Sequence, residues 1–179
     1  MPDGPDELLA LALLARRENR LADARRYLVE AVDRRREAGA TSDLTNALTR
    51  LGQIERDLGH NQAALRNYEE AACVYRAESD VLRLAHTVRH VGDIHRNEGR
   101  LDLAEPCYQE ALSIYRSDEK TPPLDLANAI RGLALLKGAA GDAEEARRLW
   151  EEAENLYTAV DVKAGVDESV HRLARLERP

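Results

Sequence analysis

Four alanines set the frame for this chain. Ala24, Ala64, Ala104 and Ala146 occupy one equivalent position in a segment that recurs after 40, 40 and then 42 residues. A unit repeated at that spacing cannot bury its apolar face alone, so copies must stack, and the expected product is a helical solenoid. Each unit reads as two helices joined by a tight turn. Asn19, Gly59, Gly99 and Gly141 sit five residues before those alanines, and Gly and Asn tolerate the left-handed conformation that closes a helix. Upstream, Leu51, Val91 and Leu133 each precede a small residue (Gly52, Gly92, Ala134), as Leu11 precedes Ala12. Downstream, Tyr68, Tyr108 and Trp150 come four residues after the alanine, with Leu28 in the aromatic's place in the first unit. Ala31, Ala71, Ala111 and Ala153 follow three residues later. Large and small side chains on one helical stripe are what close packing of helices requires.

In the third unit, Val88, Val91, Gly92, Ala104, Tyr108 and Ala111 carry a pattern that resembles the tetratricopeptide repeat family. The resemblance runs over about four units, from Leu8 to Tyr157. Each unit exceeds the family's usual length of about 34 residues, and in this it is similar to the long-helix repeats of kinesin light chains. The tyrosine usual late in the first helix is missing, with Glu55, His95 and Lys137 in its place. The resemblance implies an all-α fold, a right-handed α-solenoid of four helix-turn-helix repeats. These fall at about residues 5–38, 42–77, 80–116 and 122–160, with a capping helix at about 166–177, in a single domain. It implies a surface that binds other proteins.

Composition excludes several other roles. The 179 residues are 44% hydrophobic and 33% charged, with no Phe and a helix-forming bias toward Ala, Leu, Glu and Arg. A net charge of -7 argues against bulk attraction to nucleic acid or anionic membranes. The longest apolar run, Leu8 to Ala15, is too short to span a bilayer. The leader MPDGPDE is acidic where a secretory signal is basic, so the expected location is cytoplasmic. Two cysteines make no disulfide framework. By repeat equivalence Cys73 belongs on the polar outer face and Cys107 is half-buried.

Along the chain, the first helix is expected to open at Pro5 with Asp6 and Glu7 favourable to its dipole. Arg34, Arg35 and Arg36 read as a solvated run at the end of the second helix. Thr41, Ser42 or Asp43 is expected to cap the third helix, and Ser79 or Asp80 the fifth. Thr121 followed by Pro122 reads as a cap and a first-turn proline. Gly132 and Gly138 fall inside a helix, each at a cost of about 1 kcal/mol against alanine. They mark either local softness or a close approach. The closing segment, Val166 to Glu177, is expected to pack through Val170, Leu173 and Ala174.

In the family that the chain resembles, the first helix of each repeat lines the concave face. The polar residues between its packing positions are therefore expected there: Asn46, Thr49, Gln53 and Arg56, then His86, Arg89, Asp93, Arg96 and Asn97. Asn128, Arg131 and Leu135 follow in the fourth repeat, and His171 and Arg175 in the closing helix. Five arginines and two histidines against one aspartate make a basic groove on an acidic protein. Arg binds carboxylates through a planar fork, so the expected partner is an acidic protein or peptide segment. The competing expectation is that these arginines pair with acids of neighbouring helices. His86 and His90 stand one turn apart, but no HExxH motif or cysteine ligand accompanies them, and no metal is expected. No phosphate loop, nucleophile elbow, CxxC pair or glycine fingerprint is present. Neither catalysis nor a cofactor is expected. Two alternatives stay open, a self-assembling module or homodimer joined through Leu9 and Leu13 of the first helix, and a regulatory domain sensing a small ligand.

Overall fold

The computed structural model describes residues 4–39 and 41–176. The first three residues of the acidic leader, and the expected end of the closing helix at Glu177, lie outside the described residues. Nine helices and no strand occur among the described residues. They form four pairs and a ninth helix: α1 (Pro5–Arg17) with α2 (Leu21–Glu37), α3 (Thr41–Asp57) with α4 (Asn61–Glu78), α5 (Val81–Asn97) with α6 (Leu101–Ser117), α7 (Pro123–Ala139) with α8 (Ala143–Ala159), then α9 (Lys163–Leu176). In each pair the first helix is called A and the second B. This is an all-α helical repeat fold.

The turns are built as the residues dictate. Asn19, Gly59, Gly99 and Gly141 have φ of 57°, 81°, 76° and 84°, between the A and B helices of their pairs. Ser79 does not cap α5 but ends α4 in the same left-handed conformation, with φ 58°. Asp80 takes the capping role, its Oδ1 accepting from the Arg83 amide at 3.3 Å. Pro122 is the flanking residue of α7 and Pro123 the first within it, one position later than the sequence suggests. The fixed φ of proline suits a first helical turn, where its missing N–H costs nothing.

By internal packing the chain divides into two compact units, Met1–Thr87 and Val88–Pro179, and the boundary falls within α5. In the first unit α1, α2, α3 and α4 pack in succession. Ala24, Ala31, Ala64 and Ala71 are fully buried, and Tyr68 lies against Gly52 so closely that a Cβ there would meet the ring at 2.8 Å. Arg35 is a correction. It is 3% exposed, donates to Asp6 Oδ1 at 2.6 Å and to the Asp43 carbonyl at 2.8 Å, and so ties α1 and α3 to α2. A basic run on a helix surface holds a member turned inward, which the run itself does not reveal.

In the second unit α6, α7, α8 and α9 pack in succession. Trp150 is 2% exposed, as its place in the repeat requires. Cys107 is half-buried here and Cys73 exposed in the first unit, both free. α9 departs from its expected register. Gly165 and Ser169 are its buried positions, whereas Val170 is 50% exposed and Ala174 is exposed. α9 meets α8 through its small residues. Val170 and Ala174 belong to the stripe that a following helix covers in the earlier repeats, and none follows among the described residues.

The missing late tyrosine is replaced by polar links from an A helix to the B helix before it. Glu55, 2% exposed, accepts from Arg25 Nε at 2.9 Å and lies 2.7 Å from His60 Nδ1. Lys137 Nζ donates to Glu105 at 2.6 Å.

Candidate functional site

The A helices place the candidate residues, and each unit holds its own set. In the first unit α3 carries four. Asn46 accepts from Arg50 Nε at 2.7 Å, and Gln53 accepts from Arg16 Nη1 at 3.2 Å. Thr49 bonds back to the Thr45 carbonyl at 3.0 Å and lies 3.3 Å from the Tyr75 hydroxyl. Arg56 lies 3.4 Å from Asp57. All four are half-buried, as is His86 on the part of α5 that belongs to this unit.

The second unit brings several candidates together. Arg89 is 8% exposed and its Nη1 donates to Asp93 Oδ2 at 3.1 Å. Its Nη2 lies 3.0 Å from His90 Nε2, and His90 Nδ1 lies 3.4 Å from Asp93 Oδ2. His90, one turn on from His86, is 6% exposed. The Tyr108 hydroxyl donates to Asp93 Oδ1 at 2.7 Å, and Arg96 Nη2 lies 3.9 Å from the same oxygen while donating to Asn97 at 2.9 Å. Burial alone raises a carboxyl pKa, but the bond to His90, the Arg89 charge and the Tyr108 hydroxyl together outweigh it. Asp93 is held well below the usual carboxylate range. Burial first, then the Asp93 charge, push the Tyr108 hydroxyl up.

Arg131 of α7 is held in a fork by Glu168 of α9, Nε to Oε2 at 2.6 Å and Nη2 to Oε1 at 3.1 Å. Asn128 accepts from the Tyr157 hydroxyl at 2.8 Å. Leu135 is half-buried, and His171 and Arg175 are exposed on α9. Arg89 Nε and Arg96 Nη1 are buried N–H donors that meet no acceptor. Such a donor costs about 1–3 kcal/mol when left unmade, so two in one cluster mark where an acceptor is wanted.

Sequence reasoning missed a second aromatic row. Tyr75, Tyr115 and Tyr157 fall seven residues after Tyr68, Tyr108 and Trp150 and repeat at the same 40 and 42 spacing. Each is buried in its B helix, at 2% exposure. Tyr75 reaches Thr49 and Tyr157 reaches Asn128, and Tyr115 feels the Arg89 charge. Their period was the available signal. Among the described residues no three His, Cys, Asp or Glu side chains converge on a metal-sized site, and no helix is long and apolar enough to cross a membrane.

The family model described as Tetratricopeptide repeat matches residues 81–160. No curated protein matches the chain. Among solved structures, the chain is similar to BtubC (BKLC) from P. vanneervenii, 22% identical with a TM-score of 0.80 over 88% of this chain and 64% of that one. It is also similar to the apo form of the quorum sensor NprR from B. thuringiensis, 20% identical with a TM-score of 0.76 over 93% of this chain and 47% of that one. The chain thus spans less than two thirds of either protein, and at these identities the likeness is one of fold.

Proposed function

From the tetratricopeptide repeat match over residues 81–160 we propose that this chain binds a partner protein through an acidic segment laid on the A helices of its second unit. Repeats of this family generally mediate protein–protein interaction. The finer reading rests on one observation, the acceptor-free guanidinium N–H groups of Arg89 and Arg96 in the second unit. Both atoms are closed to solvent, so a ligand carboxylate becomes the missing acceptor when the Arg96 side chain turns outward, and charge-assisted bonds of this kind are the strong ones. Glu168 on Arg131 is an internal example of the same recognition. Of the expected groove residues of the second unit, Asn97, His171 and Arg175 are exposed, Arg96 is half-buried, Arg131 is already paired with Glu168, and Arg89 is buried. Asn46, Thr49, Gln53 and Arg56 offer a more neutral counterpart in the first unit. The chain acts as a non-catalytic scaffold in this reading, and a cytoplasmic setting suits it. The fold likeness to a quorum sensor keeps a short regulatory ligand as the second reading, at the same cluster.

The test is fluorescence anisotropy with a labelled peptide of glutamates around one leucine. Arg96→Gln with Arg175→Gln is expected to weaken binding at least tenfold with helicity unchanged, and added salt to weaken it in the parent protein. Arg66→Gln, at an exposed position of α4, is expected to leave binding unchanged. Equal loss from both variants would mean that net charge, not this cluster, does the recognising.

A further inference from the structure

The closing helix α9 is built as an A helix, and among the described residues no B helix follows it. Counting along the repeats, Val170 stands where Leu8, Leu48, Val88 and Ile130 stand in α1, α3, α5 and α7. Those four are at most 5% exposed, whereas Val170 is 50% exposed. Ala174 likewise takes the place of Gly52 and Gly92. There the small residue seats a ring from the helix that follows. A Cβ on Gly52 would meet Tyr68 at 2.8 Å, and one on Gly92 would meet Tyr108 at 3.3 Å. On α9 that seat is exposed, with Val166 and Leu173 half-buried beside it. Residues 166, 170, 173 and 174 fall on one side of a helix, away from Gly165 and Ser169, which are buried where α9 packs on α8.

The charges beside this stripe say what kind of helix it takes. At its N-terminal end an open recess of about 200 Å³ is lined by Asp161, Val162, Val166 and Asp167, with Thr158 and Lys163. Glu168 is paired with Arg131 and Arg172. Asp161 and Asp167 are exposed and form no ion pair among the described residues. An apolar wall with two carboxylates suits the stem and the head of a long basic side chain. A B helix runs antiparallel to its A helix, so its last turn lies over the first turn of the A helix. The chain itself shows this at Arg35, in the last turn of α2, which donates to Asp6 in the first turn of α1. We infer that the open face of α9 docks an amphipathic helix of a partner protein, antiparallel to α9, with an aromatic ring on Ala174 and a basic last turn over Asp161 and Asp167. The stripe that this helix needs is that of α4, with Ala64, Tyr68, Ala71 and Arg76. A folded second copy has none to spare, because Leu28, Tyr68, Tyr108 and Trp150 are at most 2% exposed in their own B helices. The inference does not rest on the acidic segment proposed above.

The probe is a capped, fluorescein-labelled peptide with the sequence of residues 61–78, serine replacing its cysteine. Its anisotropy with the full chain is expected to saturate, with methyl shifts at Val166, Val170 and Leu173 and a gain in peptide helicity. Alanine for the first tyrosine of the peptide is expected to weaken binding at least tenfold. Val170→Asp, at an exposed position, is expected to abolish binding with the helicity of the chain unchanged. Asp161→Asn with Asp167→Asn is expected to weaken binding several-fold, and asparagine keeps the left-handed turn at residue 161, where φ is 53°. The glutamate and leucine peptide is expected not to compete, so the two readings can fail separately. Undiminished binding by Val170→Asp or by the asparagine variant overturns the inference, as does equal binding of the alanine peptide. So does competition by the glutamate peptide, which would put the helix on the arginine cluster. A sedimentation shift abolished by Val170→Asp would also overturn it, since a second copy would then already cover α9.

Discussion

Gly132 and Gly138 sit in the same helix, and intrinsic propensity treats them alike. Their surroundings do not. A Cβ on Gly132 would stand 2.4 Å from the Tyr108 ring, whereas nothing lies within 4 Å of one on Gly138. Of the two readings open for these glycines, close approach holds at Gly132 and has no counterpart at Gly138. Gly132→Ala is therefore expected to destabilise by about 1–3 kcal/mol, since overpacking forces the ring or the helix to shift. Gly138→Ala is expected to stabilise by up to about 1 kcal/mol, the ordinary gain of alanine over glycine in a helix. Urea denaturation of the two variants checks both signs at once. Arg35 makes the same point about charge. Its neighbours Arg34 and Arg36 reach Glu30 and Glu70 at half-exposed and exposed positions, while Arg35 alone turns inward. No run of three arginines tells which one that will be.

At the scale of elements, the helices were legible because the alanine frame, the left-handed turn residues and the aromatic stripe all repeat together. Trp150 follows from that frame. It is buried in α8 with the Arg172 guanidinium of α9 6.0 Å from the ring centre, so Trp150→Ala is expected to cost about 3–5 kcal/mol. Its emission in the parent protein should be that of a shielded indole, red-shifting only on unfolding. The closing helix was less legible. Reading α9 as an A helix selects Val170, Leu173 and Ala174 for packing, but that stripe needs a helix after it. The contact with the helix before it runs through Gly165, where a Cβ would stand 2.4–2.6 Å from Tyr157 ring carbons. Gly165→Ala should therefore loosen α9 selectively. Hydrogen exchange is expected to show protection lost over residues 163–176 and retained in α8. Unchanged protection of α9 would mean that Gly165 is not what seats it.

For the whole molecule, the sequence gives a charge of -7 and 26 lysines and arginines to distribute, but not which of them meet acids. Most pairs on the surface, such as Arg36 with Glu70 and Arg116 with Glu152, are exposed and contribute about 0–1 kcal/mol each. Their loss in acid is gradual. Asp93 is different, because its folded pKa lies below the unfolded value of about 3.9. The unfolded chain then binds the proton more readily, so this contribution is complete above about pH 5 and is lost as pH falls toward the folded pKa. Over the same range 26 lysines and arginines and five histidines lose the carboxylates opposing them, and self-repulsion adds to the loss. Added salt screens the repulsion but acts less on a buried carboxylate. Urea midpoints between pH 2.5 and 6 are expected to fall steeply below pH 4 for the parent protein, at low and at moderate salt. Asp93→Asn is expected to be less stable at pH 7, where Arg89 loses its ionic partner, and to give a shallower acid limb that salt can nearly level. An acid limb equally steep in that variant would place the titration on the surface carboxylates and leave Asp93 without a part in it.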